Sequence, residues 1–319
     1  MRAYNNPNRL PFFPTPYPGE SLYSVLCRYH VRSGNATNRK TILQLFGVFG
    51  SLCSTLLLPS MLNCLKSWVD AESGINAEYI FRNNTAYSLC TLRNYHDYYR
   101  FFPNGDFSVP TFPKKDYRWP FRQCLIRHPS NKLRYCPACA AVQKKLYGEA
   151  YWQILPQLDG VEYCPIHQTR IATTAIGSRD LLYTFHPADI VIDSTTPSYP
   201  DYKSTWYHSS HTVLFPELFV NMGKAISHLR DHLSSYGGIW FLLNKYRYSY
   251  ETGNRFWQSK ENEREKLFGN SPPSLVCWLT NKNNDPFERK YLYFSDFTLS
   301  EHAMMISMLS SSAKTFFTE

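Results

Sequence analysis

Two short motifs give the clearest chemical signal in the sequence. Cys136 and Cys139 are separated by two residues, and Cys164 and His167 repeat that spacing after 24 intervening residues. A two-residue spacer forms a tight knuckle whose backbone amides turn toward the sulfur, so both ligands of a pair can reach one ion. Three thiolates and one imidazole fill the tetrahedral shell of Zn²⁺ and leave no position for water. The spacing therefore predicts one structural zinc ion and no catalysis at the metal.

Two other interpretations of these four residues stay open at the level of sequence. Cys136 and Cys139 have the spacing of a redox dithiol, and the residues could also be buried near one another by coincidence. Zinc is favoured because the second pair ends in histidine, and because both pairs follow a tyrosine and carry a proline after the first ligand. Metal binding would then supply folding energy to the residues from about 135 to 171.

Length, composition and charge exclude several classes of protein. The chain has 319 residues, 43% of them hydrophobic, and 34 Lys and Arg against 25 Asp and Glu. More than one domain, a real core and a cytoplasmic location are therefore expected, with no membrane span and no signal peptide. Nine cysteines, an odd number, argue against a disulfide framework. The basic excess together with 16% aromatic residues indicates a nucleic-acid partner.

The N-terminal region has the outline of a helix–turn–helix. Apolar residues at helical spacing follow Ser21, a Ser-Gly-Asn-Ala break interrupts them, and Thr37 can cap a second helix. The first turn of that helix contains Asn38, Arg39 and Lys40, which a helix–turn–helix would place toward the major groove of DNA. A plain helical hairpin has the same spacing, so both interpretations stay open.

Basic residues are concentrated in two stretches. Residues 1–69 contain seven Lys and Arg against one acidic residue, and residues 93–145 contain eleven against three. Aromatic residues lie between the cations of the second stretch, which suits contact with phosphate and stacking on bases, or equally a core with solvated cations around it. The predicted DNA-binding residues are Asn38, Arg39, Lys40, Lys114, Lys115, Arg118 and Arg122.

The chain divides into three predicted ranges. Residues 1–171 would hold a proline-rich extended arm, the helix–turn–helix and the zinc module. Residues 172–211, rich in Ser, Thr, Pro and Tyr, predict a linker or extended crossover. Helical spacing returns in residues 212–319 and predicts a second, helical domain. The expected fold class is mainly α, with a small Cys3His zinc module in the first domain.

Longer blocks of sequence carry a family resemblance. These blocks are residues 16–24 with Arg28, residues 135–139, residues 147–152 and residues 164–167. They resemble the TniQ/TnsD family of transposon target-selection proteins over about residues 10–171, and the resemblance continues more weakly toward residue 319. It maps one zinc site onto the same three cysteines and one histidine. Some relatives have a second zinc site, but only Cys277 lies late in this sequence, so no second site is expected.

The resemblance also implies a function, that of a non-catalytic adaptor in the bacterial cytoplasm. Such an adaptor binds double-stranded DNA, is nucleoid-associated when bound, and recruits the AAA+ regulator TnsC. It finds its target directly, as a TnsD protein does, or through a CRISPR RNA-guided effector complex. The TnsD-like second half favours the first mode, and the short length predicts either a truncated TnsD or a short TniQ. Tyr17 and Leu22 are the predicted partner-binding residues.

Two further classes of function share some of these sequence features. A transposase or nuclease needs several acidic metal ligands, and the candidate carboxylates are Asp97, Asp106, Asp116, Glu149 and Glu162. Their spacing does not single out a triad, and Glu149 is expected to cap a helix or form a salt bridge, so the chain is predicted not to be an enzyme. A zinc-bearing nucleic-acid-binding regulator unrelated to transposition would share the charge and the metal but not the assembly with TnsC.

Overall fold

The computed structural model describes long ranges within the first 199 residues, one helix after residue 215 and a few short segments elsewhere. The described residues are 10–47, 79–80, 83–86, 89, 131–177, 179–199, 216–233, 299, 302–303, 306–307 and 316. Within them the elements are α1 (Leu22–Arg32), α2 (Asn38–Phe46), β1 (Lys132–Tyr135), α3 (Pro137–Tyr147), a 3-10 turn (Leu155–Gln157), β2 (Ala172–Gly177), α4 (Ala188–Ser194) and α5 (Pro216–Leu233). None of the helices described is long and apolar enough to cross a membrane.

The two predicted N-terminal helices are confirmed. The Ser21 side chain accepts the amide of Ser24, and the Thr37 side chain accepts the amide of Lys40, so each helix begins at its expected N-cap. All residues of α1 from Leu22 to Tyr29 are buried. Helix α1 is thus an internal support for its neighbours, while the DNA-binding role of the pair stays a prediction.

The described part of the chain is partly helical and also contains a two-stranded sheet, which the predicted mainly α fold class did not include. β1 and β2 pair antiparallel, with Tyr135 opposite Ala172. Periodicity does not predict β1, because the strand is short and carries two basic residues. One of them, Arg134, is nevertheless fully buried. Its guanidinium donates to the Pro156 carbonyl and to the Glu162 carboxylate, both at 2.9 Å, so the charge is neutralised inside the fold.

Part of the range predicted as a linker is folded against the first domain. β2 pairs with β1, and α4 is a helix in which Ala188 and Val191 are buried. The indole N–H of Trp152 donates to the His186 carbonyl at 2.7 Å and fixes the segment before α4. The sequence does not predict this helix, because it has only seven residues and lies in a range rich in Ser and Pro. The division of the chain into three ranges stays a prediction.

Helix α5 confirms the helical spacing at the start of the predicted second domain, whose existence as a unit stays a prediction. Its Phe219 ring stacks on Tyr163, with ring centroids 6.1 Å apart. A Cβ atom on Gly223 would lie 3.2 Å from the Tyr163 carbonyl oxygen and 3.5 Å from the Pro165 ring. Because Gly223 has no side chain, α5 can pack closely against the segment that carries Cys164.

Candidate metal centre

The four predicted metal ligands converge on one point. Their ligand atoms all lie within 4.8 Å of one another. The sulfurs of Cys139 and Cys164 are 3.7 Å apart, and His167 Nδ1 lies 3.7, 3.3 and 3.6 Å from the sulfurs of Cys136, Cys139 and Cys164. A zinc tetrahedron with Zn–S of about 2.3 Å and Zn–N of about 2.0 Å has edges of about 3.8 Å (S–S) and about 3.5 Å (S–N). The cluster therefore fits one tetrahedral ion of this size, bound through Nδ1.

The same geometry bears on the competing interpretations. The three cysteines are free, and the Cys139 and Cys164 sulfurs are 3.7 Å apart, whereas a disulfide needs about 2.05 Å. A redox dithiol would bring two sulfurs together, but here two thiols of one motif meet a thiol and an imidazole of the other. The arrangement favours a metal-ligand set over a redox pair or chance packing.

Helix α3 and a tight turn build the two halves of the site. The first knuckle (Cys136–Cys139) begins α3, with Cys136 as its N-cap and proline at its first position. The Cys136 sulfur accepts the amide of Cys139 at 3.4 Å. In the second knuckle (Cys164–His167) the Cys164 sulfur accepts the amide of His167 at 3.4 Å. Each knuckle thus turns a backbone amide toward its first sulfur, as predicted.

The surroundings of the sulfurs favour the thiolate form of Cys136. Hydrogen bonds from Cys139 and then Cys164 hold the pKa of the Cys136 thiol well below its usual range, against the opposite effect of burial. The same contacts with Cys136 raise the pKa values of Cys139 and Cys164, so without a metal ion the three sulfurs share the remaining protons. The hydroxyl of Thr169 lies 3.3 Å from the same sulfur. A deprotonated sulfur is the form that binds a metal ion.

A second cluster of functional groups lies at the other end of α3. That helix ends at Gly148, which is left-handed with φ of +78°. The next residue, Glu149, accepts hydrogen bonds from Arg28 Nε and from the Tyr17 hydroxyl, each at 2.9 Å. Arg32 also pairs with Glu149. The salt-bridging role expected of Glu149 is thus confirmed, and its partners lie in the N-terminal block of the sequence.

Arg28 joins Glu149 to another carboxylate, which is fully buried. Arg28 Nη1 donates to Glu20 at 2.9 Å, and the amide of Tyr17 donates to the same oxygen at 2.8 Å. The guanidinium carbon lies 3.7 Å from the centre of the Tyr17 ring, a cation–π contact. We refer to Tyr17, Glu20, Arg28 and Glu149 as the buried ion cluster.

Backbone hydrogen bonds join the same two blocks of sequence. The amide of Ser21 donates to the Trp152 carbonyl at 2.8 Å, and the amide of Ile154 donates to the Gly19 carbonyl at 3.0 Å. The Trp152 amide in turn donates to the Ser24 hydroxyl at 3.0 Å. The N-terminal block and the block after α3 are therefore interlocked, at the end of α3 opposite the metal centre.

Glu20 predicts a pH dependence of stability. Burial raises the pKa of its carboxyl to about 7, although Arg28 acts in the opposite direction. Between about pH 4.5 and 7 the folded protein holds a proton that the unfolded chain has lost, so stability should fall as the pH rises through this range. Glu20→Gln should flatten that fall, as measured by urea unfolding at pH 5, 6, 7 and 8. Asp231→Asn, at a carboxylate that is 60% exposed, is the control; the same pH slope in all three proteins would contradict the assignment to Glu20.

The structure gives structural contacts to some residues predicted to bind DNA or partners. The Asn38 side-chain oxygen accepts the amide of Phe185 at 3.3 Å, while Arg39 and Lys40 are exposed. Leu22 is fully buried in the core, and half-buried Tyr17 belongs to the buried ion cluster. Their DNA and partner contacts stay predictions. Four predicted DNA-binding residues lie outside the described part of the chain: Lys114, Lys115, Arg118 and Arg122.

Comparison with known proteins bears on the same region. The TniQ family model matches residues 11–171, just over half of the chain. Transposon Tn7 transposition protein TnsD of Escherichia coli is 26% identical over 162 residues, which are 49% of this chain and 30% of that protein. The match therefore spans less than a third of the length of this relative. The matched range holds the four metal ligands and the buried ion cluster, and the chain belongs to the TniQ family.

Proposed function

We propose that this protein is a non-catalytic target-site selector of a TnsABC-type transposon, which binds target DNA and recruits the AAA+ regulator TnsC. Membership of the TniQ family carries the proposal. The TnsD relative, by its name a transposition protein of Tn7, supports the transposition context. The net charge of +9 suits a protein that must hold a phosphate backbone.

The proposed metal is one structural Zn²⁺ held by Cys136, Cys139, Cys164 and His167. When bound, it would supply folding energy by joining α3 to the second knuckle. Because α3 ends at the buried ion cluster, an ordered α3 also holds Glu149 where Arg28 needs it. The metal would thereby stabilise the position of α1 and, through α1, that of α2.

Two of the candidate carboxylates have structural partners, which supports a role without catalysis. Glu149 is paired with Arg28 and Arg32, and Glu162 is paired with Arg134. A carboxylate engaged in this way is a poor ligand for a catalytic Mg²⁺ ion. Asp97, Asp106 and Asp116 lie outside the described residues. Reproducible DNA cleavage in the presence of Mg²⁺ or Mn²⁺ would overturn this part of the proposal.

DNA binding is assigned to the first turn of α2. The double variant Arg39→Ala/Lys40→Ala should bind duplex DNA more weakly, and the slope of log K against log salt should fall by about one for each lost phosphate contact. A variant with the same charge change, Lys145→Ala/Arg179→Ala, alters two exposed cations outside α2 and should bind as the unchanged protein does. Equal loss in both variants would mean that net charge, rather than α2, holds the DNA.

Recruitment of TnsC is tested by pull-down with purified TnsC, with and without ATP and DNA. Capture that depends on a defined duplex sequence, without any guide RNA complex, would support direct target selection. Capture only in the presence of a CRISPR effector would support the adaptor function instead. Absence of TnsC binding under all of these conditions would favour a nucleic-acid-binding regulator unrelated to transposition.

A further inference from the structure

The three sulfurs of the metal centre differ in their hydrogen bonds. The Cys136 sulfur lies within hydrogen-bond distance of two groups that are not metal-ligand atoms, the backbone amide of Cys139 and the hydroxyl of Thr169. The Cys164 sulfur has one such group, the amide of His167. For the Cys139 sulfur, the described residues provide hydrogen-bond contacts only from two other ligands, Cys164 and His167.

The position of Thr169 is fixed by the backbone. The chain reverses after the second knuckle at Gln168, which is left-handed with φ of +56°. The Thr169 carbonyl then accepts the amide of Cys164 at 2.8 Å. This hydrogen bond returns the residue to the metal centre and places its hydroxyl 3.3 Å from the Cys136 sulfur.

The chemistry of a thiolate decides the direction of that contact. A metal-bound sulfur has no proton, so the Thr169 hydroxyl must donate and the sulfur must accept. Hydrogen bonds to a thiolate spread its negative charge and reduce its reactivity toward electrophiles, and the thiolate is the reactive form of cysteine. The exposed fractions follow the same order, because Cys139 is 7% exposed, Cys164 3% and Cys136 1%.

We propose that Thr169 is a positioning residue of the metal centre whose hydroxyl protects the Cys136 thiolate, and that Cys139 is the sulfur modified first by soft electrophiles. With a maleimide, the Cys139 sulfur forms a bond to one alkene carbon, and the other alkene carbon takes a proton from water. The thioether formed is neutral and a poor ligand, so the ion is released. This inference rests on the proposed zinc site.

The experiment treats the zinc-loaded full chain with a limiting amount of N-ethylmaleimide and follows zinc release with a chromogenic chelator. Peptide sequencing by mass spectrometry locates the first adduct, since residues 135–144 form a tryptic peptide in which Cys136 and Cys139 are distinguished by fragmentation. We expect Cys139 to be modified before Cys136 and Cys164. First modification of Cys136 in the unchanged protein would overturn the proposal without any variant.

Two variants isolate the hydroxyl of Thr169. Thr169→Val removes the donor and should weaken zinc binding about 10-fold and raise the share of adduct on Cys136. Thr169→Ser keeps the hydroxyl and should retain the unchanged distribution of adducts. A distribution that is the same in Thr169→Val, or that shifts equally in both variants, would contradict the role of the hydroxyl.

Measurement of the zinc content separates this inference from the one on which it rests. One zinc per chain with an unchanged distribution of adducts in Thr169→Val would overturn only the role of Thr169. If the protein without substitutions never contains zinc, even when it is refolded with zinc, the proposed zinc site itself is overturned.

Discussion

Replacing Cys136 with serine should yield a protein that binds no zinc and is largely insoluble. Serine keeps the approximate size of the side chain but does not ionise, so the ion loses one of its four ligands. Structural zinc contributes about 10–16 kcal/mol to the folding of small metal-binding modules, which matches or exceeds the total stability of about 5–15 kcal/mol of an ordinary domain. Zinc per chain, soluble yield and the thermal unfolding midpoint are the measurements.

The matched control for this substitution is Cys27→Ala. Cys27 is another buried free thiol, on α1 and outside the ligand cluster. Its loss removes one buried sulfur and should retain one zinc per chain, with a cost limited to a small cavity. A Cys136→Ser protein that is metal-free, folded and as stable as Cys27→Ala would rule out a structural zinc site.

Arg28→Ala should strongly destabilise the protein at a site away from the metal centre. It leaves the buried carboxylate of Glu20 without its cation and removes the hydrogen bond from Arg28 to Glu149. Removing one partner of a buried ion pair costs about 3–5 kcal/mol. Urea unfolding at pH 8, where Glu20 is mostly ionised, should show this loss in the free energy of unfolding.

Arg32→Ala provides the comparison, since Arg32 pairs with the same Glu149 but is 45% exposed. Water already screens this pair, so its loss should cost less than about 1 kcal/mol. Equal losses for the two variants would show that Glu20 and Glu149 do not depend on the buried guanidinium. A large loss for Arg28→Ala alone would identify burial as the cause.

Local rules predicted the metal ligands and the first two helices because each depends on residues close in sequence. The two-residue spacing of Cys136 and Cys139 is set by a single helical turn, and Ser21 caps α1 through an amide three residues away. The convergence of the two knuckles could also be predicted, because three cysteines and one histidine with this spacing are typical of a structural zinc site. Local chemistry of this kind can be derived without knowledge of the remaining chain.

The buried ion cluster could not be derived in the same way. Glu20 and Arg28 are charged residues, which ordinarily face solvent, and Arg28 pairs with Glu149, which lies 121 residues later in the chain. The sequence does not predict β1 for the same reason, since the groups that accept hydrogen bonds from Arg134 lie after α3 in the chain. The available signal was an arginine between Cys27 and Tyr29 of the predicted helix, together with the only acidic residue of the first 69.

The interlocking of the two sequence blocks has a consequence for biosynthesis. Arg28 leaves the ribosome 121 residues before Glu149, an interval of about 6–24 s at about 5–20 residues per second. During that time α1 has its apolar residues and its guanidinium but neither Glu149 nor the Trp152 backbone. Nascent chains that stop before residue 149 has left the ribosome should therefore bind a ribosome-associated chaperone, and chains long enough to place the second knuckle outside the exit tunnel should release it.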